Sequence, residues 1–260
     1  MPRMTDYVSS PVIHRYDGGR PIMDKSRVPY EAELVFNAGV TKFKGQYLML
    51  FRDDYGYGGG KSLFMGGNKF IGTHLGFATS QDGYNWTCQP KPFWNREMLN
   101  DDEVLRVYDP RLTVLEDKLY LCFACDTKHG LRGGIGLIND ELTQVTIISL
   151  SVPDNRNMVL FPQKIGDYYC RLERPFPVYS RDRVDRFDIW MSFSPDMCFW
   201  GKSRLLLAVE DVPFANDKIG PAAPPVLTDE GWLVVFHAVD IDFNREKNGS
   251  EEKWQKCYTA

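Results

Sequence analysis

The sequence predicts an all-β protein of the β-propeller class, and three observations support that prediction. Helical periodicity is almost absent from the 260 residues. Short apolar strands instead alternate with turns rich in Gly, Asp and Lys, which is the pattern of antiparallel hairpins. The same hairpin recurs four times along the chain, and units of this size built from short strands are typical of propeller blades.

The four hairpins begin near residues 38, 109, 158 and 224, with turns KFKGQ, LEDK, KIGD and TDEG at matching places. A further strand candidate follows each hairpin. Two of these, LGFATSQDGYNW and IWMSFSPDMCFW, share a Ser, an Asp-containing turn and a Trp. A β-sandwich is the alternative, but a sandwich would not repeat one hairpin four times. We therefore predict a single propeller domain over residues 1–260.

The sequence ends at KWQKCYTA, inside the predicted fourth unit. A propeller closes its ring to protect its edge strands. We therefore expect an incomplete propeller, truncated at the C-terminus within the fourth blade.

The composition is that of a globular protein that binds neither nucleic acid nor membranes. Hydrophobic residues make up 43% and charged residues 25%, and the net charge is −4. A nucleic-acid partner would require a basic patch, and no run of about 18 apolar residues predicts a membrane-spanning helix. The N-terminus MPRMTDYVSSPVIHRYDGG lacks the apolar region of a signal peptide, so we expect a cytoplasmic protein.

The six cysteines predict small core residues and no metal site. Cys122 and Cys125 have C-x-x-C spacing, but in the strand-like run LYLCFACDT they would lie on opposite faces. A zinc or redox site there would need partners that the surrounding residues do not offer. Dispersed free cysteines are also typical of a reducing compartment.

Polar residues recur at equivalent positions of the four hairpins. One set precedes the first strands: Asn37, Asp109, the cluster Asp154 to Asn157, and Asp217 with Lys218. The other set follows the second strands: Arg52 with Asp53, Asp126 with Thr127, Arg174, and His237 with Asp240. Because an antiparallel hairpin brings its ends together, both sets should line one mouth of a central channel, and few of these residues are ordinary turn formers.

One carboxylate beside several cations suggests an acid that works opposite an anion. Hydrolysis of a glycoside normally needs two carboxyl groups, whereas phosphate is already anionic and needs only cations to hold it. Arg156, Arg174, Lys218 and His237 match that need. Three alternatives remain open at this point: Arg174 could pair with Glu173, Lys218 could be a turn residue, and His237 in LVVFHAV could be a hydrogen-bonded core residue.

The chain resembles glycoside hydrolase family 130, the mannoside phosphorylases and related mannosidases. The resemblance runs from about residue 34 to the C-terminus. It is carried by FNAGVTKFKGQYLMLFRDD, GFATSQDGYNW, VYDPRLTVLEDKLY, NMVLFPQKIGDYYCRLERPFP, SFSPDMCFW, NDKIGPAAPPV and FHAVD, in family order. It implies a five-bladed propeller whose last blade this sequence lacks. The resemblance is also compatible with assembly into a homo-oligomer.

The resemblance assigns roles to individual residues. Asp109 of the Y-D-P-R motif would be the proton donor, acting through a hydroxyl of the mannose. Phosphate would bind Arg156, Arg174, Lys218, His237 and Tyr258, and mannose would bind Asn37 and Arg52, with Asp53 beside them. No cofactor or metal is implied, since inorganic phosphate is the co-substrate.

These roles predict an inverting phosphorylase that cleaves a β-mannoside into α-mannose 1-phosphate and a free sugar. The stretch from FHAVD to the C-terminus is most similar to members that act on 4-O-β-D-mannosyl-D-glucose. A β-mannosidase that uses water and a non-catalytic glycan-binding propeller are the alternatives. The glycine-rich segment 55–70 is interpreted as a loop over the sugar site, and because no helix follows it, it is not a nucleotide-binding fingerprint.

Overall fold

The computed structural model describes residues 16–57, 70–99, 101–177, 185–244 and 255–260. In these ranges the chain forms seventeen β-strands and four short 3-10 helices, so the all-β prediction is confirmed. No helix in the described ranges is long and apolar enough to cross a membrane. Most of the glycine-rich segment (58–69) lies outside the described residues, and its two ends belong to strands.

Most of the strands form four successive antiparallel sheets. The first sheet contains β1 (Leu34–Phe43), β2 (Gln46–Tyr57), β3 (Phe70–Ser80) and β4 (Thr87–Cys88). The second contains β5 (Val104–Leu115), β6 (Lys118–Thr127), β7 (Gly130–Ile138) and β8 (Val145–Leu150). The third contains β9 (Asn155–Leu160), β10 (Tyr169–Pro175), β11 (Ile189–Ser194) and β12 (Gly201–Leu207). In each of them the strands pair in chain order, which is the topology of a propeller blade.

The fourth sheet departs from the predicted hairpin. Its strands are β13 (Lys218–Pro221), β16 (Phe236–Ile241) and β17 (Lys256–Thr259). The turn TDEG instead joins β14 (Val226–Thr228) and β15 (Gly231–Leu233), which form a separate two-stranded sheet. The prediction that TDEG connects the first two strands of this blade is therefore wrong, because β13 pairs with β16 across the small hairpin.

The turns of the first two blades lie where the sequence predicts them, and their backbone geometry explains the residues. Lys44 and Gly45 have φ of 46° and 85°, and Glu116 and Asp117 have φ of 50° and 58°. Two consecutive residues with positive φ form the tight turn whose twist matches that of the flanking strands. The hairpins β1–β2 and β5–β6 therefore have a locally determined register.

The shared Ser, Asp and Trp pattern also corresponds to a shared structure. In the first blade Asp82 Oδ1 accepts two backbone N–H groups at 2.8 Å, and Trp86 Nε1 donates to a turn carbonyl at 3.0 Å. Asp196 and Trp200 do the same in the third blade, with backbone N–H groups at 2.9 Å and a carbonyl at 2.7 Å. These contacts confirm that the two segments are structurally equivalent parts of repeated blades.

The sheets pack face to face, and each interface has its own hydrophobic cluster. Leu50 and Cys125 lie in the cluster between the first and second blades, whereas Cys122 and Leu160 lie in the cluster between the second and third. Ile219 belongs to the cluster between the third and fourth. The two cysteines of the C-x-x-C pair thus face opposite sides of β6, as predicted. This blade-on-blade packing confirms a propeller-like fold with four blades in the described residues.

Candidate active site

The innermost strands of the first three blades each carry one non-glycine residue in the left-handed region. Asn37, Asp109 and Asn157 have φ of 50°, 54° and 56°. A break in the strand register accompanies each of them, in β1, β5 and β9. Bulges of this kind redirect a side chain, and Asn and Asp adopt the left-handed conformation more readily than most residues. The repeat therefore turns three polar side chains toward the centre of the propeller.

These side chains lie within the innermost strands and not before them. Asn37 and Asp109 interrupt β1 and β5 several residues after the strands begin, and Lys218 is the first residue of β13. The prediction that they precede the first strands is wrong in this detail. The strands extend past the bulge because pairing resumes on its other side.

A cavity of about 450 Å³ opens where the innermost strands converge. Its lining residues come from all four blades. They are Asn37, Asp109, Arg111, Arg156, Asn157, Arg174, Lys218, Ala222, His237 and Tyr258. Asp109 is the one carboxylate among these described lining residues, and five of the others are basic.

Two neighbouring side chains hold the Asp109 carboxylate. Asn37 Nδ2 donates to Asp109 Oδ1 at 2.8 Å, and Arg52 NH1 approaches the same oxygen at 3.4 Å. The side chain of Asp109 is 20% exposed, so it remains open to the cavity. Contacts between blades thus fix one oxygen of the carboxylate and leave the other available to a ligand.

Arg52 is itself held rigidly. Asp54 accepts its Nε at 3.0 Å and its NH2 at 2.8 Å, which is the bidentate arrangement that best orients a guanidinium. The guanidinium carbon also lies 4.5 Å from the ring centroid of Phe36 and 5.0 Å from that of Tyr108. With Nε and NH2 bound to Asp54, the remaining nitrogen NH1 points toward Asp109.

The cavity also contains a cluster of cations that burial and mutual repulsion make unfavourable in the absence of an anion. Only 1% of Arg174 is exposed, and this burial together with the charge of Arg156 lowers its pKa to about 9. Burial and the charges of Lys256 and Arg174 lower the pKa of Lys218 to about 8. In the described part of the chain, the buried Nε atoms of Arg156 and Arg174 have no hydrogen-bond partner. The cluster, named here the cation cluster, comprises the basic residues Arg156, Arg174, Lys218 and His237.

His237 is the neutral member of the cation cluster. Burial and the charge of Arg174 lower its pKa to about 4. Its Nε2 lies 3.4 Å from Asn157 Nδ2 and 3.4 Å from Arg174 NH1, and both of these groups are donors. Nε2 must therefore accept, which places the ring proton on Nδ1.

The structure decides the alternatives for Arg174 and Lys218. Glu173 pairs with Arg171 at 2.8 Å on the other face of β10, so Arg174 does not bind it. Asp217 pairs with Lys256 at 2.9 Å, and Lys218 lies inside a strand and lines the cavity. Neither cation is therefore explained by a neighbouring acid in the sequence.

Two predicted site residues occupy different surroundings from the rest. Asp53 is fully buried on the opposite face of β2 from Arg52, with His74 Nδ1 3.8 Å from its Oδ2, and it does not line the cavity. Burial raises its pKa. Tyr258 lies at the rim, 50% exposed, with the Lys218 Nζ 5.5 Å from its ring centroid. The expected contact of Asp53 with sugar is therefore not supported by its position.

Sequence reasoning missed Asp54, Arg111 and Asn157 as members of the site. Asn157 belongs to the Asp154 to Asn157 cluster, and the repeat pointed to that cluster without identifying the member that faces inward. Arg111 stands two residues after Asp109 in the same motif, which was an available signal. Asp126 was included among the channel residues, but it binds Arg106 and Tyr108 and does not line the cavity.

A pH prediction follows from the neutral state of His237. Its pKa in the folded protein, about 4, is below the ordinary value of 6.5, so the unfolded chain binds more protons between these values. Stability should therefore fall as the pH drops from 6.5 to 4. Thermal unfolding of the wild type and of His237→Gln over this range should show a steeper loss in the wild type, by up to about 3 kcal/mol. Parallel curves would show that His237 is not the responsible group.

The fold and the site together define a propeller protein whose central cavity is lined by one carboxylic acid and several basic side chains. The chain belongs to glycoside hydrolase family 130. The family model, described as beta-1,4-mannooligosaccharide phosphorylase, matches residues 26–250. This match confirms the family predicted from the sequence motifs.

Several characterised relatives are mannoside phosphorylases. A beta-1,4-mannooligosaccharide phosphorylase of Ruminococcus albus is 30% identical over 88% of this chain and 64% of its own length. A beta-1,2-mannobiose phosphorylase of Listeria innocua is 27% identical over 64% of this chain and 45% of its own length. A 4-O-beta-D-mannosyl-D-glucose phosphorylase of Bacteroides fragilis is 24% identical over 88% of this chain and 59% of its own length. The chain thus spans about half to two thirds of these relatives.

Solved structures confirm the fold. The beta-1,2-mannobiose complex of the Listeria innocua phosphorylase superposes with a TM-score of 0.65 at 22% identity, over 80% of this chain and 70% of the other. A second structure, from a study of glycoside hydrolases of this family that target beta-1,2 mannosidic linkages, gives 0.68 at 17% identity, over 86% and 69%. At these identities the likeness concerns the propeller architecture alone.

Proposed function

We propose that this protein is an inverting mannoside phosphorylase, a transferase that passes a mannosyl group from a β-mannoside to inorganic phosphate. The single observation that carries the proposal is the composition of the cavity, which is lined by one carboxylate and the cation cluster. Hydrolysis by the two-carboxylate route would require a second acid at the cavity. Among the described lining residues Asp109 is the only acid.

The proposed reaction assigns one role to the cation cluster and another to Asp109. Phosphate, held by Arg156, Arg174 and Lys218, attacks the anomeric carbon from the face opposite the leaving group. The bond between that carbon and the glycosidic oxygen breaks as the new carbon–oxygen bond to phosphate forms. Asp109 supplies the proton for the departing oxygen, through a mannose hydroxyl as the family resemblance implies. The proton that the phosphate group of the product releases to solvent balances the one that Asp109 takes back from solvent. The products are α-mannose 1-phosphate and the free sugar.

His237 and Tyr258 complete the proposed phosphate site. The neutral His237 presents Nδ1–H as its donor, because Nε2 is occupied by Asn157 and Arg174. Tyr258 lies at the rim of the cavity, and we assign its hydroxyl as a hydrogen-bond donor to the bound phosphate. Two arginines suit this task because a guanidinium binds two oxygens of a phosphate at once.

The proposed mannose site is beside Asp109. Asn37 and Arg52 both reach the carboxylate, and each has further donors that a sugar hydroxyl can meet. Asp53 is left out of this set because it faces the opposite side of β2. Phe36 and Tyr108 pack against the Arg52 guanidinium and help to hold it in place.

The substrate we propose is 4-O-β-D-mannosyl-D-glucose. The relatives named above act on β-1,2 or β-1,4 mannosides, so the linkage has to be tested directly. The protein should be incubated with mannosylglucose, β-1,4-mannobiose and β-1,2-mannobiose, each with and without phosphate. Mannose 1-phosphate formed from mannosylglucose only when phosphate is present is the expected result.

The same assay separates the alternative functions. Release of free mannose at equal rates without phosphate would identify a hydrolase, and sugar binding without turnover would identify a glycan-binding protein. Turnover of a mannobiose in preference to mannosylglucose would correct the substrate and leave the reaction intact.

We also propose that the whole protein closes its ring with a fifth blade and acts in the cytoplasm.

Proton uptake on phosphate binding gives a test that needs no sugar. The pKa of Lys218 is about 8 in the empty site. A bound anion favours the ammonium form and raises that pKa, so at pH 8 binding should take up as much as about half a proton. Calorimetry in two buffers with different ionisation enthalpies measures this uptake. The Lys218→Met variant should lose most of it; equal uptake in the variant would assign the proton to another group.

A further inference from the structure

The backbones of β1 and β5 approach most closely beside Asp109. Gly39 follows the bulge of β1, and a Cβ atom added to it would lie 2.7 Å from the carbonyl oxygen of Pro110 and 2.8 Å from the Cα of Arg111. Both neighbours are backbone atoms, so they cannot move aside as a flexible side chain would. Only glycine lets the first two blades meet at this distance.

Arg111 connects the two bulges at this contact. Its NH1 donates to the carbonyl oxygen of Pro110 at 2.7 Å and approaches that of Asn37 at 3.4 Å. One carbonyl belongs to the bulge of β5 and the other to the bulge of β1. The guanidinium thus bridges two blades through main-chain atoms that adjoin Asp109.

We propose that Arg111 is a positioning residue, which holds Asn37 against Asp109 by fastening the two bulges together. The kinetic consequences of this inference depend on the proposed function. Asn37 and Asp109 are 72 residues apart, and both have the sparsely populated left-handed backbone. Such a conformation persists only where surrounding contacts determine it. The bridge from Arg111, together with the close contact at Gly39, supplies that constraint.

The competing role for Arg111 is that of one more phosphate ligand, since it also lines the cavity. The two roles predict different kinetics. A phosphate ligand lost from the ground state raises KM for phosphate, whereas misplacement of the acid lowers kcat. Arg111→Lys keeps the positive charge but removes NH1, the nitrogen that meets both carbonyls.

The experiment compares Arg111→Lys and Gly39→Ala with the wild type in steady-state phosphorolysis. We expect kcat to fall on the order of 100-fold in both, as a misplacement of about 1 Å can produce. KM for phosphate should stay within about threefold of the wild-type value. Gly39→Ala retains the guanidinium, so a shared effect would come from the contact between blades. Arg156→Lys serves as the reference for a phosphate ligand, and Arg204→Met, at an exposed position of β12, as the control for arginine removal.

A rise of KM for phosphate in Arg111→Lys like that of Arg156→Lys, with kcat unchanged, would overturn the proposal. A crystal structure of Arg111→Lys provides a readout that needs no turnover. The distance from Asn37 Nδ2 to Asp109 Oδ1, 2.8 Å in the wild type, should open beyond hydrogen-bond length. An unchanged distance would overturn the proposal even if Gly39→Ala does not fold. If the wild type forms no sugar phosphate, the proposed function fails, and this distance alone decides the role of Arg111.

Discussion

Asp109→Asn should abolish phosphorolysis and leave sugar binding largely intact. The amide keeps the size of the side chain and tolerates the left-handed backbone of this position, where φ is 54°. It cannot supply the proton that the departing oxygen requires. General acids contribute between about 100-fold and 10,000-fold to a rate, and we expect kcat to fall by at least about 1,000-fold. The measurement is mannose 1-phosphate formation, with disaccharide affinity followed by calorimetry.

Asp117→Asn is the matched control for that substitution. Asp117 also has a left-handed backbone, with φ of 58°, but it is exposed in the turn between β5 and β6, away from the cavity. The same chemical change there should leave kcat within about twofold, as is usual for exposed positions. A rate near that of the wild type in Asp109→Asn would show that another group supplies the proton.

Arg174→Met should abolish phosphate binding and, in the absence of phosphate, should stabilise the fold. Arg174 is 1% exposed, its pKa is lowered to about 9, and its buried Nε has no partner in the described part of the chain. A buried cation that is not paired with a carboxylate destabilises the empty protein. Removing it should raise the free energy of unfolding by about 1 kcal/mol or more, a Tm increase of roughly 2–4 °C. Phosphate should then no longer raise the Tm, whereas it should do so in the wild type.

Arg171→Met provides the contrasting control within the same strand. Arg171 is also buried, but it pairs with Glu173 at 2.8 Å and donates to Ser192 at 3.1 Å. Its removal leaves the Glu173 carboxylate without its cation and should lower stability by about 3–5 kcal/mol. The free energy of unfolding should therefore rise in Arg174→Met and fall in Arg171→Met. A lower Tm in Arg174→Met, with phosphate still protective, would contradict the assignment of Arg174 to the anion site.

The amino-acid sequence alone predicts the repeat, most of the turns and most of the residues of the site. Alternating apolar residues and the turns KFKGQ and LEDK predict hairpins because their register depends on local backbone geometry. The Ser, Asp and Trp pattern predicts equivalent blades because its hydrogen bonds join residues close in sequence. Asp109, Arg156, Arg174, Lys218 and His237 were predictable because the repeat aligns them and phosphate chemistry favours those residue types.

The tertiary structure decided which polar residues face inward and what charge they carry. Asp53 and Asp54 are adjacent, yet only Asp54 orients Arg52, because strand alternation sends Asp53 to the other face. The bulges and the contacts between blades decided that Asn157 and Arg111 face the cavity, which the motif and the repeat alone did not determine. The neutral state of His237 likewise depends on burial and on cations from other blades, and the lowered pKa of Arg174 depends on burial and on Arg156 of the neighbouring strand. The amino-acid sequence thus determined the residue types and the blade repeat, whereas the packing of the blades determined the cavity lined by Asp109 and the basic side chains, since these residues come from strands far apart in the chain.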